Sequence, residues 1–100
     1  MAKPSRSTWL VYMLRCADGT LYTGVTKDLA RRCQQHNNGT ASRYTRSRRP
    51  VKLVYQERQR NQSLALKREP AIKKLTRRQK LAMARTQRND RMIVAERSTP

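Results

Sequence analysis

One hundred residues carrying 24 Lys and Arg against six acids give a formal charge of +18. With 36% hydrophobic residues, four Tyr, one Trp and no Phe, the chain is expected to form one domain with a small core. No apolar run is long enough to span a bilayer. MAKPSRST lacks the apolar stretch of a signal peptide, and two cysteines, Cys16 and Cys33, suit reduced packing residues better than a disulfide framework. These features predict a cytoplasmic protein, nucleoid-associated if bacterial.

Residues 1–8 read as a disordered basic lead. WLVYMLRC (9–16) and LYTGVT (21–26) read as strands joined at CADGT, a hairpin signal. DLARRCQQHNN (28–38) reads as a helix, capped by Thr26 or Asp28 and stopped by Gly39. TASRYTRSRRP (40–50) is a basic loop and VKLVYQER (51–58) alternates as a third strand. Ser63 is expected to cap a helix through SLALKREPAIKKL, its apolar stripe at Leu64, Ala71, Ile72 and Leu75, and Thr76 to cap another. Residues 88–100 read as a weakly ordered tail. The order predicts an α+β domain over 9–87: a small three-stranded, mainly antiparallel sheet (β-hairpin, helix, strand, helix, helix) with flanking helices.

Loop length in the hairpin decides which side chains share a face. A two-residue Asp18-Gly19 turn places Tyr12 and Tyr22 on opposite faces. A three-residue Ala17-Asp18-Gly19 loop, with Gly19 left-handed in a bulge, pairs Tyr12 with Gly24 and Leu14 with Tyr22. The tyrosines then converge as diagonal neighbours roughly 7–8 Å apart, and Gly24 leaves room beside the Tyr12 ring. The three-residue loop is favoured. On the following helix Arg32 and His36, four residues apart, share a face. Cys33 and His36 have a C-x-x-H spacing, but two ligands do not make a zinc site.

This constellation carries a resemblance. Val11-Tyr12, then Tyr22-Thr23-Gly24, then Asp28-Leu29-x-x-Arg32 with His36 one turn later is similar to the GIY-YIG nuclease superfamily. SLALKREPAIKKL resembles the helix whose glutamate binds metal there, which maps to Glu69. YTRSRRPVKLVYQE and KKLTRRQK look closest to the short stand-alone (YhbQ-like) branch. The resemblance spans roughly residues 9–85 and implies phosphodiester hydrolysis with one divalent metal, Mg²⁺ or Mn²⁺. It implies Tyr12 as general base or orienter of the attacking water, Tyr22 as a hydroxyl holding phosphate or water, and His36 in proton transfer or phosphate binding. Arg32 suits a developing phosphate charge because its guanidinium is a fixed, always charged fork. Glu69 suits Mg²⁺, which binds through one or two carboxylates plus phosphate and keeps several waters.

The sequence departs from the family pattern at Leu10, where the first motif has Gly, and at Thr23, where the second has Ile. Pro70 departs more seriously, because an interior proline deletes an amide bond and clashes with the preceding turn; a kink at 66–70 or a break is expected. Glu57 is a fallback ligand, though a surface ion pair suits it better. Arg43, Arg46, Arg48 and Arg49, with Lys73, Lys74, Arg77, Arg78 and Lys80, are expected to bind nucleic acid through phosphate contacts, which position without reading sequence. The sequence therefore predicts a metal-dependent DNA endonuclease acting in repair or recombination, with a non-catalytic DNA- or RNA-binding module as the alternative. Nucleic acid, DNA in particular, is the expected partner and a membrane is not; an anionic membrane would need a long basic helix with an aromatic face. Oligomeric state is left open.

Overall fold

The computed structural model describes residues 8–98; the expected lead at 1–8 falls outside them except for Thr8. Three strands, β1 (Trp9–Arg15), β2 (Leu21–Thr26) and β3 (Lys52–Gln59), form one antiparallel sheet in the order β2-β1-β3. Helix α1 (Leu29–Asn38) follows the hairpin, and α3 (Gln62–Lys73) and α4 (Arg77–Ser98) follow β3. The expected basic loop contains one short helix, α2 (Arg43–Arg46). The α+β architecture is thus the expected one, with α2 added.

The hairpin closes through the three-residue loop. Gly19 has φ 85°, its N–H donates to the Cys16 carbonyl at 2.9 Å, and the Cys16 N–H donates to Thr20 at 2.9 Å. The Asp18 carboxylate accepts from the Thr20 amide at 3.1 Å, so the turn is set by its own residues. The register pairs Tyr12 with Gly24 and Leu14 with Tyr22.

Strand alternation sends β1 side chains to two cores. Val11 and Met13 pack with Ala65 and Ile72 on the face covered by α3, with Met83 of α4 against them. Tyr12, Leu14 and Cys16 pack with Val51 on the other face, with Leu29 and Cys33 of α1 against them. Cys16 and Cys33 are both free. Helix α1 is capped by Asp28, which accepts from the Arg31 N–H at 3.1 Å, and ends at Gly39 with φ 82°. Asn37 ties it to the start of β3, accepting from the Val51 N–H at 2.8 Å and donating to the Val51 carbonyl at 3.1 Å.

Helix α3 differs from expectation in three ways. Asn61, not Ser63, caps it, accepting from the Leu64 N–H at 2.9 Å. Its buried residues are Ala65 and Ile72, one helical face, whereas Leu64 and Ala71 are exposed and Leu75 is half-buried. It also runs unbroken through Pro70. Pro70 lies on the exposed side, and the Leu66 carbonyl it deprives of an amide partner belongs to a residue 49% exposed. Water can satisfy that carbonyl, so the cost stays small enough for the packed Ala65–Ile72 face to hold the helix together.

Thr76 caps α4 as expected, in a reciprocal box: the Gln79 N–H donates to Thr76 Oγ1 at 3.1 Å and the Thr76 N–H donates to Gln79 Oε1 at 2.9 Å. The helix continues past Gln87, where the sequence signal for order fades, to Ser98. Gln87 uses its amide to bond both backbone groups of Gln56 in edge strand β3, satisfying part of an otherwise open edge. Among the described residues no helix is long and apolar enough to cross a membrane.

Candidate active site

Tyr12 is 1% exposed and its ring lies directly over Gly24. A Cβ built on Gly24 would sit 2.6 Å from the Tyr12 hydroxyl oxygen and 2.7 Å from the carbon bearing it, so glycine here is a requirement of space. Passing over β2, the hydroxyl meets His36 Nε2 at 2.8 Å. His36, also 1% exposed, is held at its other nitrogen by Thr45 Oγ1 at 2.8 Å. Thr45 is fully buried, and its hydroxyl lies 2.9 Å from Ser42 Oγ. The result is a hydrogen-bonded chain, Tyr12–His36–Thr45–Ser42, buried as far as Thr45 and half-buried at Ser42, running from the central strand through α1 to α2.

Tyr22 completes the cluster. Its ring centroid lies 6.4 Å from that of Tyr12 and 5.0 Å from that of His36, edge-on to the imidazole. Thus the sequence pattern finds Tyr12, Tyr22, Gly24 and His36, and the structure brings them together. It does not find Thr45 or Ser42, which sit in a segment that reads only as basic loop. The one available signal is Ser42 three residues before Thr45, a helix-capping spacing: the Thr45 N–H donates to Ser42 Oγ at 3.1 Å.

Electrostatics follow from burial. Tyr12 has its hydroxyl pKa pushed far above the usual tyrosine value, first by burial, then by Tyr22, with Cys33 and Glu69 adding and Arg32 opposing. His36 is held below its ordinary value, first by burial and then by the Arg32 charge. The pair is therefore a phenol beside a neutral imidazole at pH 7. Arg32 is half-buried on α1 and forms no ion pair among the described residues. It lines a cleft of about 390 Å³ with Trp9, Val25, Lys27 and Arg31. Lys27 Nζ stands 5.2 Å from the centre of the Trp9 ring.

Glu69 lies on α3, the helix packed on the Val11–Met13 side of the sheet. Among the described residues it hydrogen-bonds neither tyrosine, but it stands near enough for its charge to help raise Tyr12. Its side chain is 23% exposed and its carboxylate pairs with Lys73 Nζ at 3.4 Å. Glu57 is occupied: it accepts from Tyr55 at 2.6 Å, Gln59 at 2.6 Å and Arg68 at 2.9 Å, stapling β3 to α3. Burial, together with the Glu57 bond, lifts Tyr55 to about 12. That leaves Glu57 no role as a fallback ligand. No group of three or more His, Cys, Asp or Glu side chains comes together among the described residues. A single, partly exposed carboxylate fits Mg²⁺, which needs few protein ligands when phosphate and water supply the rest, and does not fit structural zinc.

The basic residues divide between two places. Arg43 and Arg46 are exposed on α2. Arg49 donates to the carbonyls of Arg46 at 2.9 Å and Asn37 at 3.4 Å, and Arg48 pairs with Asp18 at 3.0 Å. Lys73, Lys74, Arg77 and Arg78 are exposed around the α3–α4 junction, with Lys80 half-buried. Arg77 reaches back to donate to the Gly19 carbonyl in the hairpin turn.

Comparison with known proteins agrees with the geometry. Residues 8–82 match the GIY-YIG catalytic domain. A UPF0213 protein of Desulfotalea psychrophila is 58% identical over 72 residues, 71% of this chain and 66% of the relative, just under two thirds of its length. A UPF0213 protein of Staphylococcus epidermidis is 56% identical over 73 residues, 73% of this chain and 89% of the relative. The solution NMR structure of a UPF0213 protein from Bacillus halodurans superposes with a TM-score of 0.51 at 37% identity, covering 79% of this chain and 84% of that one. With its paired tyrosines, helix arginine and histidine in place and the family match covering most of its length, the chain belongs to the GIY-YIG family, a nuclease-type family, among the UPF0213 proteins.

Proposed function

We propose that the protein is a divalent-metal-dependent endonuclease that hydrolyses DNA phosphodiester bonds, in repair or recombination. The observation that carries this reading is the 2.8 Å bond between the Tyr12 hydroxyl and Nε2 of a neutral His36. A tyrosine with a raised pKa is a poor base if it must ionise. Here it need not. Its O–H donates to His36 Nε2 while Nδ1–H donates to Thr45 Oγ1, the tautomer this hydrogen-bond chain supports. As the attacking water gives a proton to the Tyr12 oxygen, the original hydroxyl proton passes to Nε2, and Tyr12 stays neutral throughout.

Arg32 faces the same region and offers a forked donor to the phosphate oxygens as charge builds on them. Before substrate arrives its charge helps keep His36 unprotonated. A bound phosphate offsets that charge, so the imidazole becomes more basic when it must accept the proton. Tyr22, edge-on to His36, orients water or phosphate by its hydroxyl. Glu69 would hold Mg²⁺ or Mn²⁺, which when bound offsets charge on the phosphate and leaving oxygen. The basic residues of α2 and of the α3–α4 junction supply backbone contacts.

The test is incubation with nicked, flapped, branched, single-stranded and duplex DNA, in Mg²⁺, Mn²⁺ or chelator. Metal-dependent cleavage lost in both Arg32→Ala and Glu69→Gln is expected. Cleavage surviving both substitutions places the activity elsewhere, and salt-sensitive binding with no product under any condition makes the protein a binding module.

A further inference from the structure

Aromatic contacts do not stop at the catalytic cluster. From His36 they continue to Tyr22, and from Tyr22 to Tyr44 of α2 at 5.9 Å between centroids, with rings tilted by 31°. Above Tyr44 lies the guanidinium of Arg48, its central carbon 3.9 Å from the ring centroid. The ladder thus runs from the buried imidazole to the surface. Tyr44 is 38% exposed and is the one aromatic among the large hydrophobics left exposed in the described residues.

Arg48 is held in place on this ladder. Its Nε donates to Asp18 Oδ2 at 3.0 Å and its Nη1 to the Tyr44 carbonyl at 2.8 Å. Its own carbonyl accepts from the Ala17 N–H at 2.8 Å, joining the segment to the hairpin turn. Asp18 remains ionised, its carboxyl held below the usual range first by its bonds to Thr20 and also by Arg48. An arginine fixed this way presents a flat, pre-organised plane, with little ordering left to lose when a second flat group stacks on it. Exposed Arg43 and Arg46 flank it on the same segment, favouring a ligand that joins planar groups with negative ones.

We propose that the Tyr44–Arg48 stack is a subsite for an unpaired nucleobase of the strand whose backbone enters the catalytic cluster. The inference rests on the nucleic-acid reading of that cluster and adds the class of substrate. A base inside a duplex has both faces covered by its neighbours, whereas a base in a single strand, gap or frayed end offers one to an aromatic or guanidinium plane. α2 therefore carries adjacent residues with linked tasks: Thr45 fixes His36, and Tyr44 places the strand.

The test measures binding in chelator, without cleavage. A short strand carrying 2-aminopurine at each position in turn, as DNA and as RNA, is titrated with the full chain, and fluorescence reports stacking of that base. Quenching is expected at one position, with binding weakened roughly 5- to 150-fold when that base is replaced by an abasic residue, the range that base stacking covers. Arg48→Lys, which keeps the charge and removes the plane, is expected to lose the quenching and a similar share of affinity; Tyr44→Ala should do the same. Base dependence with either sugar supports the subsite. Equal affinity for the base-containing and abasic strands overturns it, using only the unmodified protein, as does Arg48→Lys with affinity and quenching intact. A failed cleavage panel with base-dependent binding defeats the catalytic reading alone; cleavage with base-independent binding defeats this one alone.

Discussion

Alternate residues of β1 feed two unlike regions. Behind the sheet, Val11 and Met13 meet Ala65 and Ile72, aliphatic groups without a polar bond among them. In front, Tyr12 meets His36 and His36 meets Thr45, polar groups buried as deeply and satisfied by one another. The rear face gains stability from removing apolar surface from water. The front face uses burial to hold a phenol and an imidazole neutral and close, at a desolvation cost offset only while the hydrogen-bond chain is complete. A chain of 100 residues with this charge has a narrow stability margin, so the rear face supports the chemistry of the front.

The sharpest way to break this contrast is on the front. Tyr12→Phe and Arg32→Ala are each expected to lower cleavage about 10²- to 10³-fold, the scale of losing one transition-state donor; equal activity would remove the site from this face. Arg32→Ala should leave the thermal midpoint little changed, whereas Tyr12→Phe, which strands buried His36 Nε2, should also cost about 1–3 kcal/mol. On the rear, Met13→Ala should cost about 2–5 kcal/mol in denaturant unfolding, and any molecules still folded should cleave normally. Gly24→Ala tests the join between the regions. Its methyl group would meet the Tyr12 hydroxyl at 2.6 Å, costing about 1–3 kcal/mol by overpacking and displacing the oxygen from His36. Activity near wild type in that variant would mean that the Tyr12–His36 bond is dispensable.

Acid offers a smaller effect with a definite sign. The folded protein holds His36 below its ordinary value, so the unfolded chain binds its proton first as pH falls. Stability should therefore drop as pH is lowered from about 7 through about 6.5 and below, levelling only once the folded state also protonates. Thermal midpoints measured across that range, compared with His36→Gln, should show the slope in the native chain and lose His36's share in the variant. The smallest change concerns Thr23, whose buried hydroxyl has no hydrogen-bond partner among the described residues. Replacing it with isosteric valine should raise stability by up to about 1 kcal/mol; a loss of stability would mean that the hydroxyl has a partner, such as water.

What was readable from sequence was mostly local. Asp18-Gly19 and the flanking alternation identify the bulged loop, and the loop alone puts Tyr12, Tyr22 and Gly24 on one face. Asp28 and Gly39 bound α1, and helical spacing aligns Arg32 with His36. Misreadings occurred where a partner distant in sequence decides the outcome. The buried stripe of α3 is set by where the helix lands on β1 and β2, which selects Ala65 and Ile72 over Leu64 and Ala71. The sequence allows a break at Pro70, but α3 continues through it, with Pro70 facing water, where its missing amide bond matters least. Thr45 gave no sign of its role, because a threonine in a basic stretch acquires chemistry only when α1 carries His36 to it.

By itself, the sequence determined the hairpin register, the bounds of α1 and the excess of positive charge, since each depends on contacts within a few residues or on composition alone. Tertiary structure decided which nitrogen of His36 faces Tyr12, that the charge of Glu69 reaches Tyr12 from α3, and that the Arg48 guanidinium sits over the Tyr44 ring. Each of these joins residues on separate elements. Their geometry is fixed only when the two cores close on opposite faces of β1, a condition that no local pattern encodes.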